Sequence, residues 1–191
     1  MSINPIRLRG NWDEGWALDM HVVSSEPNGT NAYGNSTFDT TRSPMGELTY
    51  QLKYCNVNTI EEIAALAQIF LDKWEVLKDV DVIMPAPPSK VRHVQPVFGI
   101  AHSIAEKYDI PYRDDVLFKS SEVQSKDMKK KRKLLSGTIT VTEEARQEQN
   151  ILLIDDLYST GATLRECVER LQQDYAAKNV YVITMTKNLT R

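Results

Sequence analysis

The chain has 191 residues, of which 41% are hydrophobic and 26% are charged, and its formal net charge is -3. These values are typical of one soluble globular domain, and they exclude collagen-like, largely disordered and membrane-embedded chains. Its two cysteines, Cys55 and Cys167, form no CxxC pair and are too few for a zinc site. The amino terminus has no apolar leader and no stretch is long enough to span a bilayer, so we expect a cytoplasmic protein without membrane contact.

Residues 1–57 have the least regular pattern. Alternation of Trp16, Leu18, Met20 and Val22 with other residues predicts a half-buried strand, and the Ser-, Asn- and Gly-rich stretch 24–37 predicts a loop. Three aromatic side chains of this segment are interpreted as core of a small domain, with stacking on a base as the alternative: Trp12, Trp16 and Tyr33.

Residues 59–74 predict an amphipathic helix that packs against a sheet. Thr59 and Glu62 match a capping box, and apolar residues follow at helical spacing. Residues 80–84 predict a short buried strand. A proline-rich turn follows, with Ser89, Lys90 and Arg92 where a strand end could present them to an anion; a connector with solvated cations is the alternative.

The stretch from Pro96 to residue 141 alternates further predicted elements with one long polar segment. Pro96 opens a helix that runs to Tyr108, and residues 116–118 and 137–141 predict short strands. Between these strands, residues 120–133 are polar throughout, and 126–133 contain six basic residues and one acid. Because a long polar excursion inside a compact domain is usually functional or disordered, this segment is a candidate contact for an anionic partner.

The most informative stretch is 151–164, Ile-Leu-Leu-Ile-Asp-Asp-Leu-Tyr-Ser-Thr-Gly-Ala-Thr-Leu. It predicts a buried parallel strand, an acid pair at the carboxyl end of that strand, and a small-residue turn at a helix start. Free backbone N–H groups at a helix start bind phosphate, and carboxylates accept hydrogen bonds from sugar hydroxyls. The combination therefore fits a sugar phosphate. An ordinary turn with exposed acids is the alternative.

This stretch closely resembles the phosphoribosyl diphosphate (PRPP) signature of type I phosphoribosyltransferases. The resemblance implies that Asp155 and Asp156 bind the ribose hydroxyls, with indirect contact to Mg²⁺. It implies a PRPP-binding segment made of the following residues: Asp155, Asp156, Leu157, Tyr158, Ser159, Thr160, Gly161, Ala162 and Thr163. It also places Ser89, Lys90 and Arg92 on the pyrophosphate side, and gives a catalytic role to Asp155, Asp156, Lys90 and Arg92.

Two further patterns resemble the ComF-like, competence-associated branch of that family. One is the strand followed by Pro-x-Pro-x-Ser and Arg92. The other is Gln124 followed by Arg132, with Lys126 between them, in the position of a flexible loop that closes over the reacting centre; a solvated helix face is an equal alternative. The Asn that commonly follows the Arg is missing, and so is the four-cysteine zinc module at the amino terminus. Ser159 stands where enzymes acting on 6-oxopurines usually have Asp, which disfavours that substrate group.

The expected fold is therefore α/β and type I phosphoribosyltransferase-like, with a mainly parallel sheet flanked by helices. We expect a small N-terminal hood or extension at residues 1–57 and the phosphoribosyltransferase-like core at 58–191. A homodimer is the candidate assembly.

The expected function is Mg²⁺-dependent transfer of ribose 5-phosphate from PRPP to an unidentified base or amine, with release of pyrophosphate. The alternative is an accessory or sensor protein in DNA uptake or processing that binds PRPP, or single-stranded nucleic acid through Lys126–Lys133, without turnover. An unrelated α/β nucleotide fold is a third interpretation.

Overall fold

A computed structural model describes residues 2–88, 95–119, 138–142 and 148–189. The strands are β1 (Ile6–Arg7), β2 (Glu14–Met20), β3 (Val22–Thr30), β4 (Ser36–Arg42), β5 (Val82–Pro85), β6 (Leu117–Lys119), β7 (Ile139–Val141), β8 (Asn150–Tyr158) and β9 (Asn179–Lys187). The helices are α1 (Pro44–Tyr54), α2 (Ile60–Leu71), α3 (Pro96–Tyr108) and α4 (Ala162–Gln173), with a 3₁₀ turn at Glu75–Asp79.

A five-stranded sheet in the order β1-β2-β9-β8-β5 forms the centre of the molecule. Strand β1 is antiparallel to β2, whereas the pairs β2/β9, β9/β8 and β8/β5 are parallel. Helices cover both faces, as expected for strands that are buried on both sides. The α/β class and the mainly parallel sheet predicted from the sequence are confirmed.

The apolar run Ile151–Ile154 lies in β8 between two hydrophobic clusters. Leu152 and Ile154 pack into the cluster on the side of α1, α2 and α3. Ile151 and Leu153 pack into the cluster on the side of α4. Because side chains alternate between the two faces of a strand, a run of four apolar residues fits a strand that is covered on both sides.

Part of the N-terminal segment belongs to this central sheet. Strand β2 pairs with β9, and α1 packs on both. The half-buried strand predicted from Trp16 to Val22 is confirmed as β2, although Val22 itself begins β3. The division of the chain at residue 57 into a hood and a core stays a prediction, and two strands of the proposed hood, β1 and β2, lie in the sheet of the core.

The loop predicted for residues 24–37 is wrong, because β3 and β4 form an antiparallel hairpin there. Its turn is stabilised by the Asn31 side chain, which accepts hydrogen bonds from the N–H groups of Tyr33 and Asn35, both at 3.0 Å. Most residues of the hairpin are exposed. A strand with solvent on both faces needs no alternation of apolar and polar residues, so the usual sequence signal was absent.

The capping box predicted at Thr59 and Glu62 is also wrong, although the helix that it introduces is present as α2. The Thr59 hydroxyl donates to the Leu48 carbonyl at 2.8 Å instead of capping α2. The Ile60 N–H donates to the Asn58 side chain at 3.3 Å. The Thr59 hydroxyl therefore forms a contact between α1 and α2 and does not cap α2 as the sequence pattern had predicted.

The remaining predicted elements of the described chain are present within one to three residues of their expected bounds. Helix α3 begins at Pro96 as predicted, and β6 pairs with β7. Cys167 is fully buried on the apolar face of α4, as expected for a thiol that serves packing. Among the described residues, no helix is both long enough and apolar enough to cross a membrane.

Candidate functional site

A cavity of about 290 Å³ opens at the carboxyl end of β8. It arises because β5 stops at Pro85, which pairs with Ile154, whereas β8 continues beside β9 as far as Tyr158. The lining residues are Lys53, Tyr54, Pro87, Pro88, Gln95, Pro96, Val97 and the run 155–164. The whole predicted segment 155–163 thus borders one cavity, at the sheet edge where α/β proteins bind ligands.

The acid pair lies within β8, not after it. The alternation of the strand directs Asp156 to the face covered by α1 and Asp155 to the face covered by α4. Both residues nevertheless line the same cavity, which lies beyond the last β5/β8 pair, Pro85 with Ile154. The Asp156 N–H donates to Asp155 Oδ1 at 2.8 Å. The Asp156 carbonyl accepts a hydrogen bond from Thr186 Oγ1 at 3.2 Å, which ties this part of β8 to β9.

The two acids differ in their electrostatic surroundings. Burial, and then the charge of Asp156, raise the pKa of Asp155 to about 7. Asp156 instead has a cationic partner, since Lys53 Nζ lies 2.8 Å from its Oδ2. The two acids of the pair therefore differ, because Asp156 has an ion-pair partner and Asp155 has a raised pKa.

The small-residue turn 159–161 leads into α4 and faces the same cavity. Gly161, the N-cap residue of α4, has a φ of 71°, a left-handed conformation that favours glycine. The Thr160 hydroxyl accepts a hydrogen bond from the Ala162 N–H at 3.2 Å. The first N–H groups of a helix have no partner within the helix, so this turn has the features of an anion site.

Arg165 stabilises this turn, a role that no pattern in the sequence predicts. Its guanidinium donates to the carbonyl of Thr160 at 2.8 Å and to that of Arg9 at 3.1 Å. It also lies 5.8 Å from the centre of the Trp12 ring, which in turn contacts Tyr158 edge-on. The turn is thereby joined to the N-terminal segment. No local pattern signals such a contact, because its members are more than 150 residues apart in sequence.

Lys53 and Tyr54 of α1 also border the cavity, and sequence analysis assigned them no role in a site. Lys53 is nearly enclosed, whereas the Tyr54 ring is 62% exposed and stacks on Tyr50 with 5.3 Å between ring centres. Of the three aromatics considered for base stacking, Trp12 is a core residue, Trp16 packs against the core, and Tyr33 is 90% exposed at the hairpin tip.

Several predicted site residues lie outside the described part of the chain. They are Ser89, Lys90 and Arg92 of the expected pyrophosphate side, and Gln124, Lys126 and Arg132 of the expected flexible loop. The basic run Lys126–Lys133 lies there as well. Their roles stay predictions.

The residues present fit a magnesium ion that is shared with a ligand. Within the described ranges, no group of three or more acidic, histidine or cysteine side chains could hold a metal by itself. Asp155 and Asp156 supply carboxylate oxygens on one cavity, and Mg²⁺ usually binds through one or two carboxylates together with water and substrate phosphates.

The fold is one already seen among solved structures. A crystal structure of an adenine phosphoribosyltransferase superposes with a TM-score of 0.50 at 13% sequence identity, covering 88% of this chain and 85% of that one. The chain has the type I phosphoribosyltransferase fold. At such low identity the likeness concerns architecture alone, and the phosphoribosyltransferase fold by itself does not define an activity.

Sequence similarity points to the ComF-like branch of the phosphoribosyltransferases. The chain is 35% identical over 107 residues to competence protein ComFC of Bacillus subtilis (strain 168). The match covers 56% of this chain and 45% of ComFC, so the chain spans less than half of that relative's length. No family model matches the chain.

Replacing Gly161 by Ala is expected to weaken binding of a phosphorylated ligand about tenfold and to destabilise the fold by about 1–2 kcal/mol. A Cβ at this position would lie 2.7 Å from the Tyr158 ring and 2.9 Å from the Arg165 guanidinium, in addition to the strain of the positive φ. Isothermal titration calorimetry and urea unfolding measure the two effects.

Gly34→Ala is the matched control, because Gly34 has a φ of 77° and a Cβ at this position would meet nothing within 4 Å. This variant should lower the free energy of unfolding, because Ala is strained at a positive φ, but it should leave ligand affinity unchanged. Equal ligand affinity for Gly161→Ala and the wild type would show that the turn at 159–161 is not the anion site.

Proposed function

We propose that the protein binds PRPP and transfers its ribose 5-phosphate to a nitrogen nucleophile with release of pyrophosphate. One observation carries this proposal: an acid pair and a helix-start turn border the same cavity, at the carboxyl edge of a parallel sheet in a type I phosphoribosyltransferase fold. The similarity to ComFC supports the same branch of the family.

In this proposal different residues of the cavity bind the ribose, the 5-phosphate and the pyrophosphate of PRPP. Asp155 and Asp156 accept hydrogen bonds from the ribose hydroxyls, and the N–H groups of residues 159–163 hold the 5-phosphate. Pro87 and Pro88 line the side of the cavity from which the chain continues to Ser89, Lys90 and Arg92. Those three residues are proposed for the pyrophosphate group.

The proposed reaction needs no protein nucleophile. The bond from the anomeric carbon to pyrophosphate breaks, its electron pair leaves with pyrophosphate, and positive charge develops on the ribose. The acceptor nitrogen then forms the new bond to the anomeric carbon and releases its proton to solvent. The protein holds the ribose and the phosphates in place, which lowers the barrier by orientation and by fixed charges. When bound, Mg²⁺ neutralises charge on the departing pyrophosphate.

An accessory role in DNA uptake or processing is the second candidate, and the similarity to a competence protein favours it. In this role the cavity binds PRPP without turnover, and the six basic residues of 126–133 contact single-stranded nucleic acid. The two candidates share the PRPP site and differ in whether the ligand is consumed.

Calorimetric titration of the full chain with PRPP and MgCl₂ tests the shared part of both candidates. The wild type should bind, and the Asp155→Asn/Asp156→Asn double variant should not. Incubation with PRPP and a panel of nucleobases and amines, followed by a pyrophosphate assay, then tests the reaction.

The outcomes separate the candidates. Pyrophosphate release that requires an acceptor supports the transferase, and PRPP binding without release across the panel supports the accessory role. Salt-dependent binding of single-stranded DNA that weakens when residues 129–133 are neutralised also supports the accessory role. Absence of PRPP binding by a folded wild type contradicts both.

A further inference from the structure

The Lys53–Asp156 ion pair stands out in the cavity because solvent reaches so little of it. The two charged atoms are 2.8 Å apart, and the side chains are only 9% and 14% exposed. Exposed ion pairs contribute little to stability because water and salt screen them. A shielded pair at this distance holds both partners in one geometry, since separating them would leave two poorly solvated charges.

The protein backbone fixes both ends of this pair. On one side, Ser43 is the N-cap of α1, and its hydroxyl accepts a hydrogen bond from the Gly46 N–H at 2.9 Å. A Cβ on Gly46 would lie 2.2 Å from the carbonyl oxygen of His21, so only glycine lets α1 pack this close to β2. On the other side, the Thr186 hydroxyl donates a hydrogen bond to the backbone carbonyl of Asp156. The contact of Lys53 with Asp156 is thus set by how α1 packs on the sheet.

The charge of Lys53 matters for an anionic ligand. It is the only cationic side chain among the described residues that line the cavity, whereas Asp155 and Asp156 supply two carboxyl groups. PRPP carries several negative charges, so an unneutralised acid pair would repel the ligand whose hydroxyls it has to bind. Lys53 Nζ lies 2.8 Å from Asp156 Oδ2 and so offsets the charge of this carboxylate directly.

We propose that Lys53 is a positioning residue of the pentose site, which orients the Asp156 carboxylate toward the ribose hydroxyls and offsets its charge. This inference rests on the proposed function, because it assigns Asp156 to the ribose. If Lys53 has this role, then α1, which belongs to the N-terminal segment, contributes a functional residue to the site. Lys53 acts through Asp156 and so affects ligands that contain a pentose more than ligands that contain phosphates alone.

Titration calorimetry of Lys53→Met with two ligands tests this assignment: PRPP with MgCl₂, and pyrophosphate with MgCl₂, which has no pentose. We expect PRPP affinity to fall at least about tenfold. Pyrophosphate affinity should change by no more than about threefold, the residual effect of removing one charge. Lys53→Arg should recover most of the PRPP affinity. Lys78→Met removes an exposed lysine that does not line the cavity, and should behave as the wild type.

Thermal unfolding of each variant accompanies the titrations, and Lys53→Gln replaces Lys53→Met if the latter does not fold. Unchanged PRPP affinity in the folded variant overturns the inference and leaves the proposed function intact. An equal loss for PRPP and pyrophosphate also overturns it, because Lys53 would then contact phosphate directly. A folded wild type that binds no PRPP overturns the proposed function and this inference with it.

Discussion

Replacing Asp156 by Asn is expected to weaken PRPP binding by about 100-fold, because a charged hydrogen-bond acceptor is lost from a shielded position. The carboxamide also leaves Lys53 without its anionic partner at 2.8 Å. The substitution makes the charge of the cavity more positive by one unit, which favours an anionic ligand. It also removes the acceptor that orients the ribose, and we expect this second effect on PRPP affinity to be the larger one. Titration calorimetry with PRPP and MgCl₂ measures the affinity directly.

The same substitution should lower the free energy of unfolding by about 1–3 kcal/mol, since a nearly enclosed lysine is left unpaired. Binding is therefore compared at a temperature where the variant is fully folded by circular dichroism. Asp109→Asn is the matched control: Asp109 ends α3 in a left-handed conformation with a φ of 52°, which Asn tolerates well. A PRPP affinity within threefold of the wild type in Asp156→Asn would remove Asp156 from the ribose site.

Replacing Asp155 by Asn is expected to stabilise the free protein at high pH, by about 4 kcal/mol at pH 8. The pKa of Asp155 in the folded protein is raised from 3.8 to about 7, chiefly by burial and then by the charge of Asp156. Between these two values the folded state binds more protons than the unfolded state, so the wild type loses stability as the pH rises from about 4 to above 7. Asn is neutral at every pH and removes this loss.

The difference between Asp155→Asn and the wild type should accordingly shrink as the pH falls from 7, and it should approach zero only below about pH 4, where Asp155 is mostly protonated in both states. Urea unfolding at pH 4.5, 6, 7 and 8 measures it. Glu62→Gln, which replaces an exposed acid of α2, is the control variant. If Asp155→Asn is less stable than the wild type at pH 8, or if the difference is the same at every pH, the pKa of Asp155 is not raised in the folded protein. The variant should still lose PRPP affinity, since stability and ligand binding oppose each other at such sites.

Most of the fold was predictable because its signals are local. The four apolar residues Ile151–Ile154 indicate a strand that is covered on both faces, and the structure places them between two hydrophobic clusters. Helices α2, α3 and α4 show apolar residues at helical spacing, which requires only neighbouring positions in the sequence. The hairpin β3/β4 was missed because both of its faces meet solvent, so no hydrophobic alternation marks it.

The candidate site was predictable only where it is continuous in sequence. Residues 155–163 lie in one run, and the chemistry of an acid pair before a small-residue turn can be read from that run alone. Lys53 reaches the site through helix packing, and Arg165 joins the turn to the distant carbonyl group of Arg9. Side-chain contacts between segments 100 or more residues apart have no local pattern.

By itself, the sequence determined that β8 is an interior strand, that it delivers Asp155 and Asp156 at its carboxyl end, and that a turn suited to an anion follows. Only the tertiary structure decided that the two acids differ. Asp156 is paired because the packing of α1 on the sheet brings Lys53 to it, whereas burial and the charge of Asp156 raise the pKa of Asp155. The physical reason is that the ionisation of a carboxyl group depends on the charges and the solvent around it, and the fold of the whole chain sets both.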